Sequence, residues 1–146
     1  MYKVITIGRQ FGSGGREHAI TYTLKKSAKV DELFCLPGNP GMAKIATCVN
    51  GSVEDLEGIL KFVEDNKIDF TVIGPEVPLC MGLSDLLESH GHKCFGPTKL
   101  AATLEGSKAF SKDFMYRHNI PTAAYKAFTA AEKEDAYRFL EGLKAP

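Results

Sequence analysis

The stretch that joins the first predicted strand to the first predicted helix reads Ile5-Thr6-Ile7-Gly8-Arg9-Gln10-Phe11-Gly12-Ser13-Gly14-Gly15-Arg16-Glu17-His18-Ala19. Glycine has no Cβ, so this turn can bend sharply and bring its backbone N–H groups close to an anion. The helix that follows points the positive end of its dipole at the same turn. The sequence therefore predicts a phosphate-binding corner at the end of the first strand.

The composition indicates a globular protein and disfavours several functions. Eighteen Lys and Arg side chains balance eighteen Asp and Glu side chains in 146 residues, so no global field attracts nucleic acid or anionic lipid. No apolar run approaches the roughly 20 residues that cross a bilayer, and no signal peptide follows Met1. The cysteines lie far apart, without the close pairing that a zinc site needs, and His90, His92 and His118 are expected to be surface residues, which favours reduced thiols in a cytoplasmic protein. We expect neither nucleic-acid nor membrane partners.

Strands alternate with helices in the first part of the chain. Apolar, β-branched runs predict strands at 3–7, 32–36, 68–73 and 93–95. Helical spacing of apolar residues predicts helices at 15–26, from a capping Ser52 onward, and at 83–91. Gly/Pro-rich loops close the strands, at 37–41, 74–76 and 96–97. This order predicts an α/β fold with a Rossmann-like parallel sheet, which binds ligands at the carboxyl ends of its strands.

The end of the chain predicts a different unit. Ser107 is expected to cap a helix that runs to about His118 and buries Phe110, Phe114 and Met115. A strand at 125–128 and a helix that starts from a capping box at 129–132 are expected next. These elements are too few to close a core. We therefore predict two regions, 1–105 and 106–146, of which the second is an incomplete domain prone to self-association.

Six ordered motifs resemble the phosphoribosylamine–glycine ligase family. They are Gly14-Gly15-Arg16-Glu17-His18-Ala19, Pro37-Gly38-Asn39, Gly74-Pro75-Glu76-Val77-Pro78-Leu79, Phe95-Gly96-Pro97, Leu104-Glu105-Gly106-Ser107-Lys108-Ala109-Phe110 and Asn119-Ile120-Pro121-Thr122-Ala123. The resemblance implies an ATP-grasp ligase of purine biosynthesis, which converts glycine to glycyl phosphate and transfers it to the amine of 5-phosphoribosylamine. It also implies a pre-ATP-grasp domain followed by the opening elements of an ATP-grasp domain. ATP and Mg²⁺ (or Mn²⁺) are the implied cofactors, with ligands mostly beyond this chain.

The resemblance also implies which residues bind the substrate. They are Gly14, Gly15, Arg16, Glu17, His18, Pro37, Gly38, Asn39, Gly74, Pro75 and Glu76. By chemistry alone, Arg16 can fork onto phosphate oxygens and Glu76 can hold an amine or a hydroxyl, although both side chains are equally compatible with a solvated surface. His18 can bind substrate, pack or cap. Asn39 is a turn residue by chemistry, and only the resemblance makes it a ligand.

Lys108 is the candidate ATP-binding residue. A cation in the first turn of a helix opposes the helix dipole, and a nearby anion relieves that cost. The resemblance implies that this anion is nucleotide phosphate, while Glu105 is an alternative partner. No catalytic residue and no metal ligand is expected within the chain. We therefore expect these 146 residues not to catalyse ligation by themselves.

The first loop departs from the family pattern. In the family that this chain resembles, the first strand is followed at once by the pattern Gly-x-Gly-Gly-Arg-Glu-His-Ala. Here the four residues Arg9-Gln10-Phe11-Gly12 stand between Gly8 and Ser13. Residues 3–17 instead resemble the opening of cytidylate kinase-like proteins, so a nucleotide kinase-like phosphate-binding module is an alternative, although G-x-x-x-x-G-K-[ST] is not met. A dinucleotide-binding module is a weaker alternative, because G-x-G-x-x-G is not present.

Overall fold

A computed structural model describes residues 1–8 and 14–143, which form two units, Met1–Gly106 and Ser107–Pro146. The inserted residues Arg9-Gln10-Phe11-Gly12, together with Ser13, lie outside the described residues. The structure therefore does not test the prediction that the first loop is four residues longer than in the family. The prediction that region 1–105 is a pre-ATP-grasp domain and that region 106–146 is the start of an ATP-grasp domain also stays a prediction.

The first unit is built on a parallel sheet, as predicted. Its five strands lie in the order β3-β2-β1-β4-β5, and each neighbouring pair is parallel. The strands are β1 (Tyr2–Ile7), β2 (Val30–Leu36), β3 (Thr47–Cys48), β4 (Phe70–Ile73) and β5 (Cys94–Phe95). The four predicted strands are confirmed to within a few residues. Strand β3 was not predicted, because two residues carry no readable periodicity.

Strand β1 is the centre of the sheet because it is apolar along nearly its whole length. Val4, Ile5, Thr6 and Ile7 are at most 3% exposed, and helices cover the core on which they pack. Neighbouring strands pair with β1 on both edges, so both of its backbone edges are satisfied. Its carboxyl end at Gly8 therefore lies in the middle of one rim of the sheet.

The helices of the first unit differ from the predicted ones in three places. They are α1 (Gly15–Lys25), α2 (Leu56–Asp65), α3 (Glu76–Met81), α4 (Leu83–Ser89) and α5 (Lys99–Gly106), with a 3₁₀ turn at Met42–Lys44. Helix α2 begins later than predicted, because Asp55 and not Ser52 caps it by accepting a 3.0 Å hydrogen bond from the Gly58 N–H. Helices α3 and α5 were not predicted, because Gly and Pro mask their short apolar patterns.

The second unit contains α6 (Lys108–Arg117) and α7 (Lys133–Gly142). The predicted caps are confirmed: Ser107 accepts a hydrogen bond from the Phe110 N–H, and Thr129 and Glu132 form a capping box around the 3₁₀ turn Ala130–Glu132. The predicted strand at 125–128 is wrong, since these residues have no regular structure and no described strand of this unit pairs with them. The predicted burial of Phe110, Phe114 and Met115 is also wrong, because no residue of α6 is buried and Phe110 is 42% exposed.

Candidate functional site

The order of the strands reverses beside β1. The chain runs from β1 to β2 and β3 on one side, and then returns to β4 and β5 on the other side. In open α/β sheets, ligands bind outside the carboxyl ends of the strands at such a reversal. The residues at this point are Gly8, which follows β1, and Gly74, which follows β4. The topology thus places a candidate site at two of the glycine-containing turns.

Helix α1 points its amino end at this rim. Gly14 occupies the N-cap position without a side-chain cap, and the first intrahelical bond runs from the His18 N–H to the Gly14 carbonyl oxygen at 3.1 Å. The backbone N–H groups of Gly15, Arg16 and Glu17 precede that bond, so they have no intrahelical acceptor. Such N–H groups, aligned with the positive end of the helix dipole, form an anion-binding arrangement.

Arg16 links α1 to the end of β4. Its Nη1 donates a hydrogen bond of 3.4 Å to the Gly74 carbonyl oxygen. The Gly74 N–H donates to the Ile7 carbonyl oxygen at 3.1 Å, which holds the end of β4 beside the end of β1. Arg16 is otherwise exposed, so its guanidinium lies at the surface of the rim with N–H donors to spare. The structure therefore brings together Arg16 and Gly74, two of the residues predicted to bind substrate.

Glu17 is buried beside the carboxyl ends of β1 and β4. It is 2% exposed, and its side chain fills the space between the two strand ends. A Cβ added to Gly74 would lie 2.8 Å from Glu17 Cγ and 2.9 Å from Oε1, and a Cβ added to Gly8 would lie 3.7 Å from Glu17 Cβ. Within the described part of the chain, Glu17 Oε2 has no hydrogen-bond partner. The buried Glu17 side chain thus explains why glycine follows β4, whereas a side chain at Gly8 would make only an ordinary van der Waals contact with it.

The loop after β2 forms the neighbouring wall of the rim. Asn39 Oδ1 accepts from the Met42 N–H at 2.8 Å, and the Asn39 carbonyl oxygen accepts from the Ala43 N–H at 2.9 Å. The loop enters through a cis peptide bond between Leu36 and Pro37, and Gly38 has a φ of +82°. The Asn39 side chain thus holds the loop in one conformation, which is the turn role that its chemistry alone suggests.

His18 packs against this loop. A Cβ on Gly41 would lie 2.5 Å from His18 Cε1 and 3.2 Å from His18 Nδ1. Gly41 is therefore required to be small, so that α1 and the loop after β2 can approach each other. The sequence analysis missed Gly41 as a site residue. The only available signal was the second glycine of the Pro37-Gly38-Asn39-Pro40-Gly41 segment.

The third predicted segment begins a helix. Pro75 is buried at the N-cap position of α3, and Glu76 is in the first turn of that helix, where a carboxylate suits the helix dipole. The loop predicted at 74–76 therefore ends one residue earlier, because Glu76 already belongs to α3. Lys108 is the first residue of α6 in the second unit. Among residues 1–8 and 14–143, no three His, Cys, Asp or Glu side chains cluster closely enough to hold a metal ion.

The family model described as "Phosphoribosylglycinamide synthetase, N domain" matches residues 3–105. The match therefore includes the whole of the 3–17 segment that also resembles cytidylate kinase-like proteins. None of the described helices is long and apolar enough to span a bilayer.

Individual proteins extend the similarity beyond residue 105. The chain is 50% identical over 131 residues to phosphoribosylamine–glycine ligase of Agrobacterium fabrum, covering 90% of this chain and 31% of that protein. It is 48% identical over 130 residues to the ligase of Caldanaerobacter subterraneus, covering 89% of this chain and 31% of that protein.

A solved structure shows the same fold. The crystal structure of phosphoribosylamine–glycine ligase from Thermotoga maritima matches with a TM-score of 0.63 and 30% identity, covering 94% of this chain and 30% of that chain. The chain thus spans about 31% of the length of the curated relatives described above.

Proposed function

The chain belongs to the phosphoribosylglycinamide synthetase family, and from this we propose that its first unit binds 5-phosphoribosylamine for a phosphoribosylamine–glycine ligase. In the proposed reaction, ATP phosphorylates glycine to glycyl phosphate, and the substrate amine then attacks the acyl carbon. The new C–N bond replaces the acyl C–O bond, so phosphate leaves and glycinamide ribonucleotide forms. The observation that carries this proposal is the amino end of α1, which lies beside Arg16 at the reversal of strand order.

We assign the substrate phosphate to the amino end of α1. Gly14 and Gly15 allow the backbone to approach closely, and the first N–H groups of the helix donate to the phosphate oxygens. Arg16 keeps its bond to Gly74 through one N–H while other N–H groups of the guanidinium fork onto the phosphate. Glu17 is a positioning residue in this assignment, because its buried side chain packs against Gly8 and Gly74 at the two strand ends that form the rim.

The ribosylamine end of the substrate is assigned to the two neighbouring walls. Glu76, in the first turn of α3, supplies a carboxylate that accepts hydrogen bonds from the amine or from a ribose hydroxyl. The Pro37-Gly38-Asn39 segment presents its backbone, and His18 holds that segment through its contact with Gly41. Orienting the amine in this way lowers the entropic cost of its attack on an acyl phosphate.

ATP and a divalent cation are the proposed cofactors of the complete reaction. Lys108, at the start of α6, is proposed to contact a nucleotide phosphate, since its cation otherwise opposes the dipole of that helix. The described residues do not fit a magnesium site, because no cluster of three acidic, His or Cys side chains is present among them. We therefore assign no metal ligand to residues 1–8 or 14–143, and we propose that the 146-residue chain alone forms no ADP when incubated with ATP, glycine and 5-phosphoribosylamine.

Two further properties follow from the side chains. We propose a cytoplasmic location, since Cys35, Cys48, Cys80 and Cys94 are free thiols, which persist in a reducing compartment.

We also propose that the second unit self-associates, because large apolar side chains on it are exposed. These are Phe110, Tyr116, Ile120, Tyr125, Tyr137, Leu140 and Leu143. Sedimentation velocity over a range of concentrations tests this association, and a concentration-independent monomer would contradict it.

Ribose 5-phosphate is a stable probe of the substrate site. We expect isothermal titration calorimetry to show binding of ribose 5-phosphate and at least tenfold weaker binding of ribose, because the phosphate supplies the charge-assisted hydrogen bonds. Arg16→Gln should weaken ribose 5-phosphate binding by roughly tenfold, which corresponds to the loss of one hydrogen bond to a charged group. Equal affinity for ribose and ribose 5-phosphate would contradict the assignment.

Lys25→Gln is the matched control for this titration. It removes one exposed positive charge from the last turn of the same helix, at the end opposite to the proposed site. We expect its affinity for ribose 5-phosphate to equal that of the unaltered chain. An equal loss in Lys25→Gln and Arg16→Gln would mean that net charge and not the rim geometry controls binding.

A further inference from the structure

Cys35 and Cys48 face each other across the edge of the sheet. They are register partners in the parallel pair of β2 and β3, and their Sγ atoms are 3.5 Å apart. Neighbouring parallel strands are about 4.8 Å apart, and Cα atoms at such a spacing satisfy the range of about 4.4–6.8 Å found in disulfides. The backbone therefore already holds the two thiols at a separation that a disulfide can bridge.

The two thiols differ in their access to solvent. Cys35 is fully buried, whereas Cys48 is exposed. Burial, followed by the hydrogen bond to Cys48, raises the pKa of Cys35 to about 12. Since the thiolate is the nucleophile toward oxidants, and since Cys35 stays protonated out of contact with solvent, Cys48 is the thiol that meets an oxidant first.

The sulfur atoms lie directly under the loop after β2. A Cβ on Gly38 would lie 2.5 Å from Cys48 Sγ and 2.9 Å from Cys35 Sγ. Cys48 Sγ also donates a weak hydrogen bond of 3.7 Å to the Asn39 carbonyl oxygen. A covalent bond between the sulfurs would therefore tie β3 to β2 immediately beneath Gly38 and Asn39.

We propose that Cys35 and Cys48 form a redox modification site, in which a peroxide converts the thiol pair to a reversible disulfide that restrains the loop at 37–41. The Cys48 thiolate attacks a peroxide oxygen, so the O–O bond breaks and Cys48 becomes a sulfenic acid. The Cys35 sulfur then attacks the Cys48 sulfur, and the hydroxyl group leaves with the Cys35 proton as water. Two thiols lose two electrons in total, and hydrogen peroxide is reduced to two molecules of water. A thiol reductant reverses the bond by exchange.

Tryptic mapping tests the bond directly. Trypsin cleaves after Lys29, Lys44 and Lys61, so Cys35 and Cys48 fall on separate peptides, 30–44 and 45–61. After treatment of the folded chain with hydrogen peroxide and blocking of remaining thiols, mass spectrometry should find these two peptides linked and two hydrogen atoms lighter than their sum. Dithiothreitol should release them. Unlinked peptides, or a sulfinic acid on Cys48 with Cys35 still a thiol, would overturn the proposal.

Variants separate this pair from the other cysteines. The Cys80→Ser/Cys94→Ser double variant should still give the linked peptides, because Cys80 and Cys94 donate instead to the Ala102 and Ser84 carbonyl oxygens. Cys48→Ser should abolish the link, and because Cys48 is exposed this variant is expected to fold even if Cys35→Ser does not. A link found only in a dimer band on a non-reducing gel would show intermolecular oxidation and would also overturn the proposal.

Hydrogen exchange reports the effect on the loop without any ligand. The Ala43 N–H donates to the Asn39 carbonyl oxygen, so its exchange follows opening of this loop. We expect oxidation to slow Ala43 exchange about tenfold, since the disulfide removes local openings that separate β3 from β2. Unchanged exchange in the linked chain would overturn the restraint. This test does not depend on the proposed function, whose own test is ribose 5-phosphate binding by the reduced chain.

Discussion

Arg16 Nη1 donates a 3.4 Å hydrogen bond to the carbonyl oxygen of Gly74, across 58 positions of sequence. The bond joins the first turn of α1 to the end of β4. Gly74 is itself tied to β1, because its N–H donates to the Ile7 carbonyl oxygen. The candidate anion site is therefore held together by the sheet. Substitutions of residues that pack beneath the site should consequently change the free energy of unfolding.

Gly74→Ala is expected to destabilise the chain. The added Cβ would lie 2.8 Å from Glu17 Cγ and 2.9 Å from Glu17 Oε1. Since Glu17 is 2% exposed, its side chain has no open space into which to move. We expect the free energy of unfolding, measured by urea denaturation, to fall by about 1–3 kcal/mol. In Gly15→Ala the new Cβ would meet no described atom within 4 Å, and alanine is favoured over glycine in a helix, so stability should not fall. Equal losses in both variants would contradict this account.

Gly38→Ala should cost more stability than Gly91→Ala. Both glycines have positive φ, +82° and +78°, so alanine pays a left-handed backbone cost of about 1–2 kcal/mol at either position. Only at Gly38 would the Cβ also crowd the sulfurs of Cys48 and Cys35, while Gly91 has open space. The difference between the two melting temperatures measures this crowding. Adding Cys48→Ala to Gly38→Ala should recover part of it, and no recovery would show that the sulfurs are not the cause.

Asp55→Ala should weaken α2. The Asp55 carboxylate accepts from the Gly58 N–H at 3.0 Å, and loss of such a cap costs about 1 kcal/mol. Ser52→Ala is the matched comparison, because the Ser52 hydroxyl oxygen accepts from the Glu54 N–H, outside the helix. We expect circular dichroism during thermal unfolding to show the larger loss for Asp55→Ala. A larger loss of thermal stability for Ser52→Ala would instead support Ser52 as the cap, as the sequence pattern predicted.

The start of α7 should depend on pH through Glu132. Hydrogen bonds from the Thr129 hydroxyl and the Thr129 N–H lower the pKa of the Glu132 carboxyl group. The ionised form is therefore favoured in the folded chain. This stabilisation is present above the pKa of the unfolded chain and is lost as the pH falls through the lowered pKa. An NMR titration of the Glu132 side chain should show a higher midpoint in Thr129→Ala than in the unaltered chain. Identical midpoints would contradict the capping box as the cause.

Several elements could be predicted because their signals are local. The 3–7 strand is continuous and apolar, and the caps at Ser107 and at Thr129–Glu132 depend on residues three positions apart. Helix α3 escaped prediction because Gly74-Pro75 looks like a loop, although proline is compatible with the start of a helix. The 125–128 segment has the composition of a strand, but a strand also requires a partner, and the described part of its unit offers none.

By itself, the sequence determined the alternation of strands and helices, the glycine-containing rim and the resemblance to a ligase family, because these follow from residue types at short spacings. Only the tertiary structure decided that Glu17 is buried between two strand ends, that His18 packs on Gly41 and that Cys35 lies beside Cys48. These contacts join segments that are distant in the chain. They depend on the order and register of the strands, which the hydrophobic pattern of a single segment does not specify.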